Sequence, residues 1–319
     1  MPLFNLAPAA HNRPMPPRIS PRASLVAGLA VALLAPLACA SGTVFKWVDD
    51  KGHIQYGDRP PPNASRVPVE ETMADPGALA GIEEVPNGTG ADIYITNHLS
   101  GPLEINLALL KAMNVQSLPT MRLPQVLPPR QRVLVSRLEY GAGQVSYVPN
   151  VNVVPGDPKA FPDNTTYALP LTDNSGWQLG QAFHGGFSHT DEQNRYAVDL
   201  IVPEGTPVLA ARGGTVMQVE SGFSRSGLDA KKFAERANLV RILHDDGTMG
   251  VYAHLQANGV YVRVGQKIGL GQQIGVSGNT GYSSGPHLHF CLQVNSGMRL
   301  VSIPFRMMGP AGFLNLPQK

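Results

Sequence analysis

The stretch Gly285-Pro286-His287-Leu288-His289-Phe290 is the most informative part of this sequence. Side chains of an extended strand alternate between its two faces, so His287 and His289 are predicted to project to the same side, close enough to share one metal ion. Leu288 and Phe290 then point toward an apolar core. An isolated His-x-His more often belongs to a polar edge strand, so the interpretation depends on the rest of the chain.

Further metal-ligand types accompany this pair. Six of the nine histidines lie in the C-terminal part of the chain, and Asp199 is embedded in an apolar strand pattern, Arg195 to Val202. Histidine and aspartate are ligands of zinc. The sequence therefore predicts a metal site in the C-terminal part, built from members of the following set: His184, His189, His244, His254, His287, His289 and Asp199.

Composition indicates a mainly β protein. The 319 residues can form two domains of ordinary size, and 43% hydrophobic content can build a core in each. The 34 glycines and 29 prolines favour many short strands joined by tight turns.

Residues 1–40 are typical of a secretory signal peptide, with three arginines, an apolar run over 25–37 and the small-x-small sequence Ala38-Cys39-Ala40. Met15 is an alternative start. An uncleaved membrane anchor and lipidation of Cys39 are the other interpretations. Cleavage after Ala40 changes the net charge from +2 to −1 and leaves Cys291 as a single, buried thiol. No basic surface for nucleic acid is expected in the mature chain.

Three N-terminal segments precede the predicted metal site. Residues 41–62 contain two short strand patterns around Asp50-Lys51-Gly52, a hairpin signal, and resemble a small module of unknown function in Gram-negative envelope proteins. Residues 63–90 lack periodicity and are predicted to be a linker. Residues 91–155 contain short strand patterns that predict a small β-sandwich without a chemical site.

The last domain is predicted over residues 171–305 as a compact antiparallel β-sheet domain, with one short helix over 228–237. It resembles the lysostaphin-type (LytM-like) zinc metallo-endopeptidases that cut the peptide part of peptidoglycan. The motifs that carry the resemblance occur in the expected order. They are Tyr196-Ala-Val-Asp199, Pro203-Glu-Gly-Thr-Pro207, Val251-Tyr-Ala-His254-Leu, Gly278-Asn-Thr-Gly281 and the His-x-His stretch.

The resemblance implies a zinc ion held by an early histidine, Asp199 and His289, with His254 and His287 assisting catalysis. The usual early ligand lies four residues before the aspartate, where this chain has Arg195. Arginine has no lone pair for a cation. We predict that His189 replaces it, with 191–194 as an inserted loop, and that His184 lies at the rim of the cleft. Cys291 stands where the family usually has glutamate.

The leading hypothesis is therefore a secreted or periplasmic zinc metallo-endopeptidase whose partners are peptidoglycan stem peptides, together with envelope scaffold or hydrolase-regulating proteins. A second hypothesis is a non-catalytic relative that binds peptidoglycan or activates other cell-wall hydrolases. A third is a sugar-transport phosphocarrier domain, which shares the β architecture and paired histidines. Those domains work in the cytoplasm, and the signal peptide argues against the third hypothesis.

Overall fold

The structure, a computed structural model, describes residues 45–48, 54–57, 75–118 and 124–317. The chain divides into two compact units, one with the described strands of residues 45–57 and the other with residues 75–317. In the first, β1 (Phe45–Val48) pairs antiparallel with β2 (Ile54–Gly57), which confirms the predicted hairpin. The signal peptide lies outside the described residues. Within them, no helix has the length and apolar character needed to span a membrane.

Residues 80–155 form a two-sheet sandwich, which confirms that prediction. Its strands are β3 (Ala80–Pro86), β4 (Gly90–Asn97), β5 (Leu103–Met113), β6 (Val115–Leu118), β7 (Gln125–Leu127), β8 (Arg132–Tyr140) and β9 (Ser146–Pro155). One sheet has the order β3-β4-β8-β6 and the other β7-β5-β9. Alternate residues of β4 and β5, such as Ile93, Ile95, Leu103 and Ile105, are buried between the sheets.

The linker predicted over 63–90 is wrong at its C-terminal end. Strand β3 lies inside that range and pairs with β4 along its whole length, from Ala80 opposite Asn97 to Pro86 opposite Ala91. Only Ala80 of β3 is fully buried. The strand lies at the edge of its sheet, and Glu83 and Glu84 are exposed. Its sequence therefore lacks the alternation of apolar and polar residues by which a strand is recognised.

The C-terminal domain is built around an eight-stranded sheet of order β11-β12-β22-β17-β16-β14-β19, with β23 paired to β22. The elements are β10 (Thr166–Ala168), β11 (Gln178–Gln181), β12 (Ala197–Ile201), β13 (Pro207–Leu209), β14 (Gly214–Glu220), β15 (Ser226–Gly227), α1 (Ala230–Phe233), β16 (Leu239–Leu243), β17 (Met249–Ala253), β18 (Leu255–Val260), β19 (Lys267–Ile268), β20 (Gln273–Ser277), β21 (Gly281–Tyr282), β22 (His287–Asn295), β23 (Leu300–Ile303), β24 (Arg306–Gly309) and β25 (Gly312–Phe313).

Pairing in the large sheet is antiparallel, as predicted. Strands β10 and β24 pair in parallel and lie beyond the predicted limits of 171–305. The predicted helix over 228–237 forms only over the four residues of α1, where Asp229 caps the N-terminus by accepting from Lys231 N. Phe233 is its one buried residue and joins it to the domain.

The two faces of β22 differ as the sequence predicts. Leu288, Phe290 and Leu292 are buried in the main core of the domain. His289, Cys291 and Gln293 lie on the opposite face, hereafter the histidine face.

The sandwich packs on the far end of the histidine face. Its core includes Met217, Met249 and Leu300 of the C-terminal domain. Asn295 Nδ2 and Met298 N donate to the buried carboxylate of Glu104, at 2.9 and 2.6 Å. Asn295 lies six positions after His289 on β22, or about 20 Å at about 3.3 Å per residue. The sandwich is therefore a fixed neighbour of this face.

Candidate metal centre

Three adjacent strands bring the predicted site residues together. Asp199 of β12 lies directly opposite His289 of β22, and His289 lies opposite Ala253 of β17. His254 follows Ala253 and leaves the strand with a left-handed backbone, φ 62°. The antiparallel register thus places an aspartate and two histidines, distant in sequence, at one end of the sheet.

His189, Asp199 and His289 form a buried cluster. His189 Nε2 is 3.1 Å and His289 Nδ1 is 2.9 Å from Asp199 Oδ1. One potential ligand atom from each residue lies within 4.8 Å of the other two. Two imidazole nitrogens and a carboxylate oxygen are donors that Zn²⁺ takes in proteins, so the residues present fit a zinc ion.

A backbone contact orients His189 toward the cluster. Its Nδ1–H donates to the carbonyl of Ala182 at 2.9 Å, because a carbonyl can only accept. The other ring nitrogen, Nε2, then faces Asp199 Oδ1. Metal-binding histidines commonly have this arrangement, with the nitrogen remote from the metal hydrogen-bonded to a carbonyl. The side chain of Arg195, at the position of the usual ligand, is exposed.

His184 does not join the cluster. Its ring packs edge-on against Tyr196, with centroids 5.0 Å apart, and its backbone has φ 61°. Its Nε2 is buried without a hydrogen-bond partner among the described residues. The sequence predicted a rim residue that contacts substrate or is merely solvated, and the buried Nε2 does not match the second of these alternatives.

His254 and His287 complete the site. His254 Nδ1 donates to Thr280 O at 2.6 Å, and His287 Nδ1 donates to Gly285 O at 2.8 Å. Their ring centroids are 4.5 Å apart, and His287 Nε2 lies 3.8 Å from Asp199 Oδ1. Both rings therefore keep an unprotonated Nε2.

Glycine allows the contact that holds His254. A Cβ at Gly278 would lie 2.4 Å from the backbone nitrogen of Gln256, far inside van der Waals contact. The loop that carries Thr280 can therefore approach the chain that follows His254 only with glycine at this position.

The cluster shifts the protonation of its members. Burial raises the pKa of Asp199, but hydrogen bonds from His189 and His289 outweigh burial and hold that pKa far below its usual range. Burial lowers the pKa of His189, but the hydrogen bond and charge of Asp199 give a net rise. Burial, and then the charges of His287 and His289, lower the pKa of His254 to about 3. The pKa of His287 is lowered mainly by burial. At neutral pH, Asp199 is ionised, and His254 and His287 can accept protons.

Gln181 is a site residue that the sequence analysis missed. Its Nε2 donates to Asp199 Oδ2 at 2.7 Å and to Ser188 Oγ at 2.9 Å. Its Oε1 accepts from Phe187 N at 3.1 Å. A lone glutamine carries no signal in sequence, and its role follows from the pairing of β11 with β12, which places it opposite Asp199.

The other notable C-terminal side chains lie outside the site. His244 follows β16 at the end remote from His254 and donates from Nδ1 to Gly213 O at 2.8 Å. Cys291 is fully buried, as predicted, and burial raises the pKa of its thiol to about 12.

Comparison with known proteins supports this picture. Residues 193–299 match the model of Peptidase family M23, and residues 30–78 match a domain of unknown function, DUF4124. Lysostaphin of Staphylococcus simulans is 40% identical over 102 residues, 32% of this chain and 18% of lysostaphin. Peptidoglycan DD-endopeptidase ShyA of Vibrio cholerae is 38% identical over 96 residues, 30% of this chain and 19% of ShyA. The matches thus span about a fifth of each relative.

A solved structure of the antimicrobial peptidase lysostaphin from Staphylococcus simulans also matches. The match has 34% sequence identity and a TM-score of 0.29, and it covers 38% of this chain and 43% of that one.

Proposed function

Because the C-terminal domain, through residues 193–299, belongs to peptidase family M23, we propose that this protein is a zinc metallo-endopeptidase that hydrolyses peptide bonds in peptidoglycan cross-links. The observation that carries the proposal is the buried cluster of His189, Asp199 and His289, with His254 and His287 beside it. A relative without catalysis would be expected to have lost members of this set, and the chain retains all five.

Three residues would hold the zinc ion. The atoms that face one another are His189 Nε2, Asp199 Oδ1 and His289 Nδ1. A bound zinc supplies a Lewis acid and lowers the pKa of a bound water toward neutrality. Asp199 contributes a full negative charge, since its pKa lies far below neutrality. Gln181 and the carbonyl of Ala182 orient the carboxylate and the His189 ring.

His254 and His287 would move protons and stabilise charge. Each has Nδ1–H fixed on a backbone carbonyl and a free Nε2, and each is neutral at pH 7 because its pKa is lowered. Either Nε2 can take a proton from the attacking water and give it to the departing amine. In its protonated form, the same Nε2–H can donate to the developing oxyanion.

The substrate class comes from the relatives together with the site. ShyA is named a peptidoglycan DD-endopeptidase, and lysostaphin an antimicrobial peptidase. Peptidoglycan stem peptides are therefore the proposed substrate, and the periplasm or cell envelope the proposed location, which also agrees with the predicted signal peptide. Envelope proteins that recruit cell-wall hydrolases are the proposed partners.

The test measures zinc content and cleavage of purified peptidoglycan together. We expect a chelator to abolish cleavage and zinc to restore it. His189→Ala and His289→Ala should lose turnover and bind zinc only weakly, through the two ligands that remain. His254→Ala and His287→Ala should keep zinc and lose turnover, because these residues act on protons rather than bind the metal.

His184→Ala is the matched control for His189→Ala, since its ring lies outside the cluster, and it should keep its zinc. Zinc loss in His184→Ala but not in His189→Ala would overturn the ligand assignment. Cleavage that survives complete removal of zinc would refute the mechanism. Absence of zinc from the wild type would support the non-catalytic hypothesis.

A further inference from the structure

The loop of residues 190–196 separates two proposed metal ligands, His189 and Asp199. It is a compact turn with its own hydrogen bonds. The Asp191 carboxylate accepts from Gln193 N at 2.8 Å, and the Asp191 carbonyl accepts from Arg195 N at 2.9 Å. These bonds fix the shape of the loop but not its position on the domain.

Ser302 of β23 joins this loop to the sheet. Its N–H and its hydroxyl both donate to Glu192 O, at 2.7 and 3.0 Å. Its Oγ accepts from Tyr196 N at 3.1 Å. Ser302 is buried, so these bonds are shielded from water. One side chain thus holds both the start and the end of the loop.

Gln293 of β22 makes a second connection. Its Nε2 donates to Gln193 O at 3.0 Å, and its Oε1 accepts from Arg241 Nη1 at 2.5 Å. Arginine has donors only, so the amide oxygen of Gln293 must face Arg241 and its NH₂ group must face the loop. Arg241 is itself held by Gln218, whose Oε1 accepts from Nε at 3.2 Å.

His189 lies immediately before this loop and is constrained from its other side as well. Its N–H donates to Gly185 O at 3.0 Å and its Nδ1–H to Ala182 O at 2.9 Å. The ligand thus lies between two fixed segments of backbone. If the loop were free, the backbone that carries His189 could shift relative to Asp199, whose own position is set by β12.

We propose that Ser302 and Gln293, with Arg241 behind it, are positioning residues that hold the 190–196 loop so that His189 meets Asp199 and His289 in metal-binding geometry. The inference rests on the proposed zinc site. It assigns to these three residues a role in metal affinity, through bonds to a loop that takes the place of the usual short spacing between the two ligands.

The test is a zinc titration against a competing chelator on the full chain. Ser302→Ala and Gln293→Leu should each weaken zinc binding, by up to the roughly 10- to 100-fold that loss of a direct hydrogen-bond partner of a ligand produces. Ser302→Thr, which keeps the hydroxyl, should restore wild-type affinity. Unfolding curves of the zinc-free variants report whether each has folded.

Ser277→Ala is the matched control. Ser277 is buried, its hydroxyl donates to Pro203 O at 2.7 Å, and its Oγ accepts from Thr206 N at 3.0 Å, but its loop carries no ligand. This variant should keep wild-type zinc affinity. Equal weakening in Ser277→Ala and Ser302→Ala would overturn the proposal, because it would indicate a general loss of stability.

A double-mutant cycle with His189→Ala separates positioning from support of the fold. If Gln293 acts through His189, Gln293→Leu should weaken zinc binding in the wild type but have no further effect when His189 is absent. A full effect in the His189→Ala background, or none in the wild type, would refute the proposal, and so would a wild type that binds no zinc. A wild type that binds zinc as predicted but does not cleave peptidoglycan would refute only the proposed function.

Discussion

Replacing Gln181 by leucine tests how strongly the site depends on a residue that has no sequence signal. Leucine is close to glutamine in size but cannot donate, so Gln181→Leu removes the 2.7 Å bond to Asp199 Oδ2 and the 2.9 Å bond to Ser188 Oγ. It also leaves Phe187 N without its acceptor. The first of these bonds concerns the proposed metal ligand directly.

The size of the effect follows from the charge of Asp199. A hydrogen bond to a charged group contributes about 1.5–3 kcal/mol. At 1.4 kcal/mol per factor of ten, this sets an upper limit of about 10- to 150-fold on the loss in zinc affinity, because a bond that also forms in the zinc-free protein counts only by its difference between the two states. Measured effects of removing outer-shell partners, about 10- to 100-fold, fall in the same range. We therefore expect Gln181→Leu to raise the zinc dissociation constant by one to two orders of magnitude.

The assay is competition with a chromophoric chelator, at a pH where Asp199 is ionised in both proteins. Gln273→Leu is the matched control, because Gln273 is exposed on β20 and, in the part of the chain that the structure describes, its Nε2 donates only to Gly275 O, at 3.2 Å. Unfolding of the zinc-free proteins shows whether the variant is folded. If a folded Gln181→Leu binds zinc as tightly as Gln273→Leu, the second contact to Asp199 does not matter, and the reasoning is refuted.

Two further predictions concern buried groups away from the metal centre. In the chain from Ser41 onward, Cys291 should react with a thiol reagent at pH 8 only after unfolding. The reason is that its thiol is fully buried and the pKa of the thiol is raised to about 12. Rapid labelling of the folded protein would contradict this. Glu104→Leu should lower the free energy of unfolding by about 2–5 kcal/mol in denaturant titrations, since it leaves two donors, the buried Asn295 Nδ2 and the partly buried Met298 N, without this acceptor. The control Glu83→Leu removes only an exposed ion pair with Arg132, and an equal loss there would contradict the argument.

The features that the sequence predicted depend on local pattern. Alternation in Leu288-His289-Phe290 separates a core face from a histidine face, and the fold has that division. The Asp-Gly turn at Asp246-Gly247 predicts the hairpin of β16 and β17, which pair from Leu243 opposite Met249. Each of these signals lies within a few residues of the structure that it specifies.

The features that the sequence missed depend on contacts between distant segments. Strand β3 exists because β4 offers it an edge, and its own residues are mostly exposed. Gln181 reaches Asp199 because β11 and β12 pair. Glu104 reads as one polar residue in an apolar strand, and it is buried because Asn295 and Met298 donate to it from the other domain. Partners at such separations leave no periodicity to detect.

The substitution of Arg195 for the usual ligand combines both kinds of information. Chemistry excludes arginine as a ligand, and the polar stretch 191–194 indicates a loop, so the sequence points to His189. A few extra residues add little to the free energy of closing a loop. The loop between the ligands must nevertheless hold the ring nitrogen of His189 in place. Ser302 and Gln293 meet that constraint. Ser302 lies 110 residues beyond its partner Glu192, and Gln293 lies 100 residues beyond its partner Gln193. We therefore propose that a longer spacing between ligands is tolerated where the sheet provides partners for the loop.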